Sequence, residues 1–346
     1  MRQFHKVNSN SSLSGIIRSS NEDFIVDEIQ VFSPSGQGEH VWLKIKKTGE
    51  NTDWVAGLLA KIADVPRRDV SFAGMKDRNA VTTQWFSIQM PGRDAPDWQA
   101  ELPESIQILE EKRHDRKLRR GTLEGNTFKI FIRQFKGSKE ELKSAVKQIK
   151  EQGVPNYFGE QRFGFFNQEQ GKYLNIIKAE QWFKGELKVK SRPKGSIYLS
   201  AARSWIFNHI LSERVKNTTW NQAVTGDVFM LDGSKSCFTG VLDDTISERI
   251  QQQSLHLTGA LWGKGDLLSE AAVADAERRI GSDLAILSKG LEDKGLKQER
   301  KALRLRVQNL SYELIESDAV CLHFSLPAGA FATSVLSEIG AFSASI

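Results

Sequence analysis

Strand-like alternation occupies both ends of the chain, and a more helical stretch separates them. Near the N-terminus, EDFIVDEIQVF (residues 22–32) reads as a strand that stops short of Pro34. EHVWLKIKKTG (39–49) alternates Val41, Leu43 and Ile45 on one face, the period of a strand. The spacing predicts a helix over NTDWVAGLLAKIADVP, with Asn51 or Thr52 as its cap, Trp54, Val55, Leu58, Leu59 and Ile62 on one face, and Pro66 past its end. VSFAG and TTQWFSIQM follow as further strands. SKEELKSAVKQIKEQGVP then reads as a helix with a Ser138/Glu141 capping box, closed by Gly153 and Pro155. Beyond Pro155 the texture changes. LSAARSWIFNHILSERVKN (199–217) is amphipathic and helical, GDVFMLDG and CFTGVLDD read as short strands, and residues 268–295 read as helix broken near Gly281. Strand texture returns at KALRLRVQNLSYELIESDAVCLHFSL (301–326), and GAFATSVLSEIG closes with a helix carrying Phe331, Val335 and Ile339 at i, i+4, i+8. A sheet-rich beginning and end around such a middle predict an α+β domain interrupted by an inserted one. The expected boundaries are 1–152, 153–300 and 301–346.

Composition narrows the function classes. The 346 residues are 39% hydrophobic and 26% charged, ordinary for a folded domain with a sizeable core. No run approaches eighteen apolar residues, and the polar N-terminus lacks the apolar stretch of a signal peptide, so no membrane association and a cytoplasmic location are expected. Cys237 and Cys321 are far apart and outside any CxxC pair, which predicts two reduced, buried thiols. The six histidines show no metal-binding spacing, so no metal is expected. GALWGKGDL lacks the glycine and the Ser/Thr of a phosphate-binding loop, and no GxGxxG follows a strand. ATP, NAD and metal chemistry are disfavoured. No heptads point to a coiled-coil dimer, and a monomer is expected.

The net charge of +5 is mild, but KRHDRKLRR gathers Lys112, Arg113, Arg116, Lys117, Arg119 and Arg120 within nine residues. A basic cluster beside a strand suits a phosphate backbone, and equally a solvated loop. FAGMKDRNAVTTQWF places Asp77 between Lys76 and Arg78, after Gly74, which allows a sharp turn at a strand end. Flanking cations favour an ionised carboxylate, fit to act as nucleophile or base. Local chemistry alone favours a solvated turn residue.

SFAGMKDRNAVTTQWFSI resembles the signature of the TruD family of tRNA pseudouridine synthases. NEDFIVDE, LEGNTFKI, VPNYFGEQRFG and LPAGAFATS agree with the family in order, from residue 21 to residue 334, and LSAARSWIFN is also similar. The resemblance implies a pseudouridine-synthase-like α+β catalytic domain with a mixed, mainly antiparallel sheet, interrupted by an inserted α/β TRUD domain. It implies conversion of uridine to pseudouridine in tRNA, at position 13, with no cofactor and no metal. The family's catalytic aspartate falls on Asp77 and its base-contacting residues on Phe24, Asn126 and Phe331. The target base must leave its stack, and stacking phenylalanines with a donor–acceptor amide suit a flipped pyrimidine. Arg18 or Lys76 is the expected cation beside Asp77, and Arg162 is expected to touch phosphate or serve a structural hinge. The basic run 112–120 is expected on the RNA backbone. A non-catalytic tRNA-binding or chaperone protein on the same scaffold is the alternative, and a metal-dependent nuclease is disfavoured because no acidic cluster converges.

Overall fold

A computed structural model describes residues 4–316 and 318–345. The chain forms two compact units interleaved in sequence. One comprises Ser12–Lys139, Gln308–Gly329 and the residues from Ala341 onward. The other comprises the N-terminal segment through Ser11, Glu140–Val307 and Ala330–Gly340.

The first unit is built on a ten-stranded, mainly antiparallel sheet. Its strands are β1 (Ser14–Ile17), β2 (Phe24–Gln30), β3 (His40–Thr48), β4 (Val70–Phe72), β5 (Val81–Gln89), β6 (Ile106–His114) and β7 (Leu123–Lys136), with Gln308–Glu316, Ala319–Pro327 and Ala341–Ala344 completing it. The main path runs Gln308–Glu316, Ala319–Pro327, β7, β2, β5, β3, β6. Only β2 with β5, and β1 with Ala341–Ala344, pair in parallel. Helix α1 (Thr52–Ile62) is capped by the Asn51 side chain, which accepts from the backbone N–H groups of Asp53 and Trp54. Val55, Ala56 and Leu59 pack on Val41, Leu43, Ile45, Phe72, Phe86 and Ile88. Trp54 departs from the expected helical face and is 49% exposed. It sits in the first turn, where the buried side is carried by Thr52 and Val55. Ser317, inside the run expected as strand, lies outside the described residues.

The second unit packs helices around Arg192–Lys216, with Trp205, Ile206, Phe207, Ile210 and Leu211 in its core. This helix begins at Arg192 rather than at the expected Leu199. Pro193 at its first turn suits a helix start, because the proline lacks an N–H that would be unpaired there anyway. An antiparallel sheet runs Cys237–Thr239, Val228–Leu231, Leu255–Leu261, Glu299–Ala302. The helical break expected near Gly281 falls at Leu284, between Ala271–Asp283 and Ala285–Asp293. Gly281 lies within the first of these helices, where a Cβ would strike the Trp262 ring, so the position is kept for glycine by packing. Both cysteines are free thiols; Cys321 is buried, but Cys237 is only half-buried on an edge strand. Among the described residues no helix is long and apolar enough to cross a membrane, and no three His, Cys, Asp or Glu side chains are grouped to hold a metal ion.

Candidate active site

Asp77 lies in the loop between β4 and β5. Its Oδ2 accepts from Arg18 Nη2 at 2.5 Å, and its Oδ1 accepts from the Asn79 backbone N–H at 3.3 Å. The same guanidinium lies over the Phe24 ring, 4.2 Å from its centroid. Arg18 therefore joins a carboxylate and an aromatic face that sequence places 53 residues apart. Arg18 has φ +58°, a left-handed conformation that costs a non-glycine residue roughly 1–2 kcal/mol. The strain is held where the loop after β1 turns the side chain toward Asp77.

Lys76 does not pair with Asp77. Its Nζ donates to Glu28 Oε2 at 3.0 Å, and both side chains are almost fully buried. Burial raises the Glu28 carboxyl above its usual range, with Lys76 pulling it partly back. Of the two cations expected beside Asp77, the structure brings Arg18 to it and commits Lys76 to Glu28.

Asn126 lies on β7, opposite Glu28 of β2 on one side and Leu326 on the other. Gly125 before it is required by close backbone approach, since a Cβ there would collide with the Leu326 carbonyl. Among the described residues, the buried Asn126 Oδ1 has no hydrogen-bond partner. Phe24 is 4% exposed and packs edge-on against Phe128. Gly74 lies in the bend that follows β4; its φ is outside the left-handed region, and a Cβ would meet only ordinary contacts with Leu123 and Lys76. Its role in the loop is its carbonyl, which accepts from Gln84 Nε2 at 3.1 Å.

Arg162 and Phe331 belong to the other unit. Phe331 precedes helix Ala332–Ile339 and lies beside Gly159, and Ser334 Oγ donates to the Tyr157 carbonyl at 3.3 Å. NYFGEQ and GAFATS thus pack together. Arg162 donates to Ser200 Oγ at 2.9 Å and stacks over Phe158, and burial lowers its guanidinium pKa.

Five of the six basic-run residues are exposed: Lys112, Arg116, Lys117, Arg119 and Arg120. Arg113 is only half-exposed, and its guanidinium donates to the Met90 and Arg93 carbonyls. Lys112 pairs with Glu110, and Arg116 with Asp115.

Sequence reasoning missed Glu28, Lys47, Thr52 and Gln84, the buried polar groups around this loop. The alternation did carry a signal. Glu28 is in phase with Phe24 and Val26, and Lys47 with Val41, Leu43 and Ile45, so both charges sit where a strand's buried face should be apolar.

The family model for tRNA pseudouridine synthase D (TruD) matches residues 3–174 and 168–339. A tRNA pseudouridine synthase D from Methylococcus capsulatus is 47% identical across 95% of this chain and 91% of its own length. Those from Hydrogenovibrio crunogenus and Aeromonas salmonicida are 41% and 44% identical, each across 94% of this chain and 92% and 90% of their own lengths. A crystal structure of a TruD-type chain from Methanosarcina mazei shares the fold at TM-score 0.76 and 20% identity, covering 97% of this chain and 95% of that one. A mixed, mainly antiparallel sheet within an α+β chain is the architecture the pseudouridine-synthase resemblance implies. The chain belongs to the TruD family.

Proposed function

We propose that the chain isomerises uridine to pseudouridine in tRNA, at position 13, with Asp77 as the reacting carboxylate. The observation that carries this reading is the Arg18 guanidinium, bonded to Asp77 and stacked over Phe24 at once. A flipped uracil against Phe24 would then lie within reach of the same arginine that orients the acid.

The chemistry is an internal transfer. The N1–C1′ bond breaks, the uracil turns, C5 bonds to C1′, and the C5 proton leaves while N1 gains one. Asp77 starts it, either by attacking C1′ or by taking the C2′ proton to give a glycal. No redox partner is needed, and none of the proposed steps calls for a cofactor. Asn126 Oδ1, a buried acceptor with no partner, suits the N3–H of uracil, and its amide N–H groups suit a uracil carbonyl. We assign the sheet unit as the catalytic domain and the unit containing residues 153–300 as the TRUD domain, with Arg162 supporting its NYFGEQ segment. The exposed basic run holds RNA phosphates without reading sequence. The working form is a monomer in the cytoplasm, the former testable by light scattering.

The test uses tRNA carrying tritium at C5 of uridine. One tritium released per chain-modified tRNA, with pseudouridine mapped to position 13, is the expected result. Tight tRNA binding without release would instead make the protein a binder.

A further inference from the structure

Lys47 ends the inward-facing alternation of β3 and is fully buried. Among the described residues no carboxylate lies within ion-pair distance of its ammonium. Nζ donates instead to two backbone carbonyls, Glu50 at 2.6 Å and Asp77 at 3.2 Å. Burying an ammonium that makes no direct ion pair costs several kcal/mol. Its two hydrogen bonds tie the end of β3 to the Glu50 carbonyl and to the loop that carries Asp77.

The ammonium belongs to a buried framework under the loop that carries Asp77. The Thr52 hydroxyl accepts from the Lys76 backbone N–H at 3.0 Å and donates to Gln84 Oε1 at 3.0 Å. Gln84 Nε2 in turn holds the Gly74 carbonyl. Lys47, Thr52 and Gln84, each wholly shielded from solvent, grip the loop at Asp77, Lys76 and Gly74. Of the three, only Lys47 brings charge, and it brings it to the peptide of Asp77 itself.

We propose that Lys47 is a positioning residue for the isomerisation, its ammonium fixing the Asp77 peptide and supplying a positive charge beneath the reacting carboxylate. The inference rests on Asp77 being that carboxylate. The charged groups facing Lys47 are Asp77 and Glu50, which favour its protonated form, and Lys76, which opposes it. Burial outweighs them and brings the Lys47 pKa down to about 8. The charge beneath Asp77 is therefore present at neutral pH and lost in mildly alkaline solution.

Single-turnover rates and tRNA dissociation constants for wild type, K47M, K47R and D77N, from pH 6 to pH 10, separate the possibilities. Wild type should lose rate through an alkaline limb centred near pH 8. K47M should be about 10- to 100-fold slower at pH 7, the scale of a misplaced reacting group, with tRNA affinity changed less than about twofold, and should lack that limb. K47R keeps a charge that does not titrate in this range and should recover part of the rate, also without the limb. The wild-type profile needs no variant to fold, so its lack of a limb near pH 8 would overturn the proposal by itself. K47M at the wild-type rate beside an inactive D77N would overturn it while leaving Asp77 in place. Full rate from D77N would instead sink the Asp77 reading, and the role of Lys47 with it.

Discussion

Removing the Arg18 side chain tests how the site is assembled. Arg18 and Asp77 meet at 2.5 Å with side chains only 16% and 30% exposed, so water screens the contact weakly. A hydrogen bond to a charged group contributes about 1.5–3 kcal/mol, and a cation over an aromatic face about 0.5–1 kcal/mol more. If roughly 2 kcal/mol of this is realised only as the reaction proceeds, R18A slows the chemical step about 30-fold, since each ~1.4 kcal/mol is a factor of ten. R18G removes the same contacts and also relieves the left-handed backbone at φ +58°. It should match R18A in rate and exceed it in stability by roughly 1 kcal/mol. R18K restores charge but not the planar fork, and should recover only part of the loss. The assay is single-turnover tritium release, with tRNA affinity measured in parallel and expected to change less than about threefold. Equal losses in affinity and rate would make Arg18 an RNA contact. An R18A rate equal to wild type would refute the positioning argument.

Three further outcomes follow from the same geometry. E28Q and K76M each leave one member of a buried pair uncompensated and should lower stability by about 3–5 kcal/mol, whereas the E28L/K76M double variant should lose much less; urea unfolding checks this, and additive losses would contradict it. Neutralising Arg116, Lys117, Arg119 and Arg120 together should flatten the dependence of log K on log salt by about 3, at about 0.7–0.9 per phosphate, and an unchanged slope would remove the run from the RNA interface. Lys47 titrates near pH 8 in the folded chain and near ~10.4 when unfolded, so the unfolded state binds the extra proton between those values. Wild-type stability should therefore rise relative to K47M between those pH values, by up to about 3 kcal/mol, and parallel melting curves at pH 7.5 and 9.5 would contradict the assigned burial cost.

The sequence disclosed the sheet through the alternation of Val41, Leu43 and Ile45, because a half-buried strand writes its period directly into the chain. Helix ends were less legible. Trp54 satisfies helical spacing yet faces water, and the helix from Arg192 starts with Pro193, which suits a first turn, but then runs through Gly195, which helix propensity disfavours. The site was legible as separate motifs and not as contacts. Arg18 and Asp77 are 59 residues apart, and nothing in either motif decides between Arg18 and Lys76 as partner. That choice depends on Glu28, which claims Lys76 from the facing strand. Gly74 marked the bend after β4, but nothing in its residue type shows that Gln84 would hold its carbonyl.

The central claim is that the Asp77 carboxylate performs the isomerisation. D77N keeps the shape of the side chain and leaves the Asp77 carbonyl free to accept from Lys47, so the loop should hold. Incubating tRNA bearing uridine at position 13 with wild type and with D77N, then mapping pseudouridine by chemical probing, tests the claim directly. Modification at that position by wild type, and binding without modification by D77N, is the predicted result. Pseudouridine formed by D77N at the wild-type rate would contradict it.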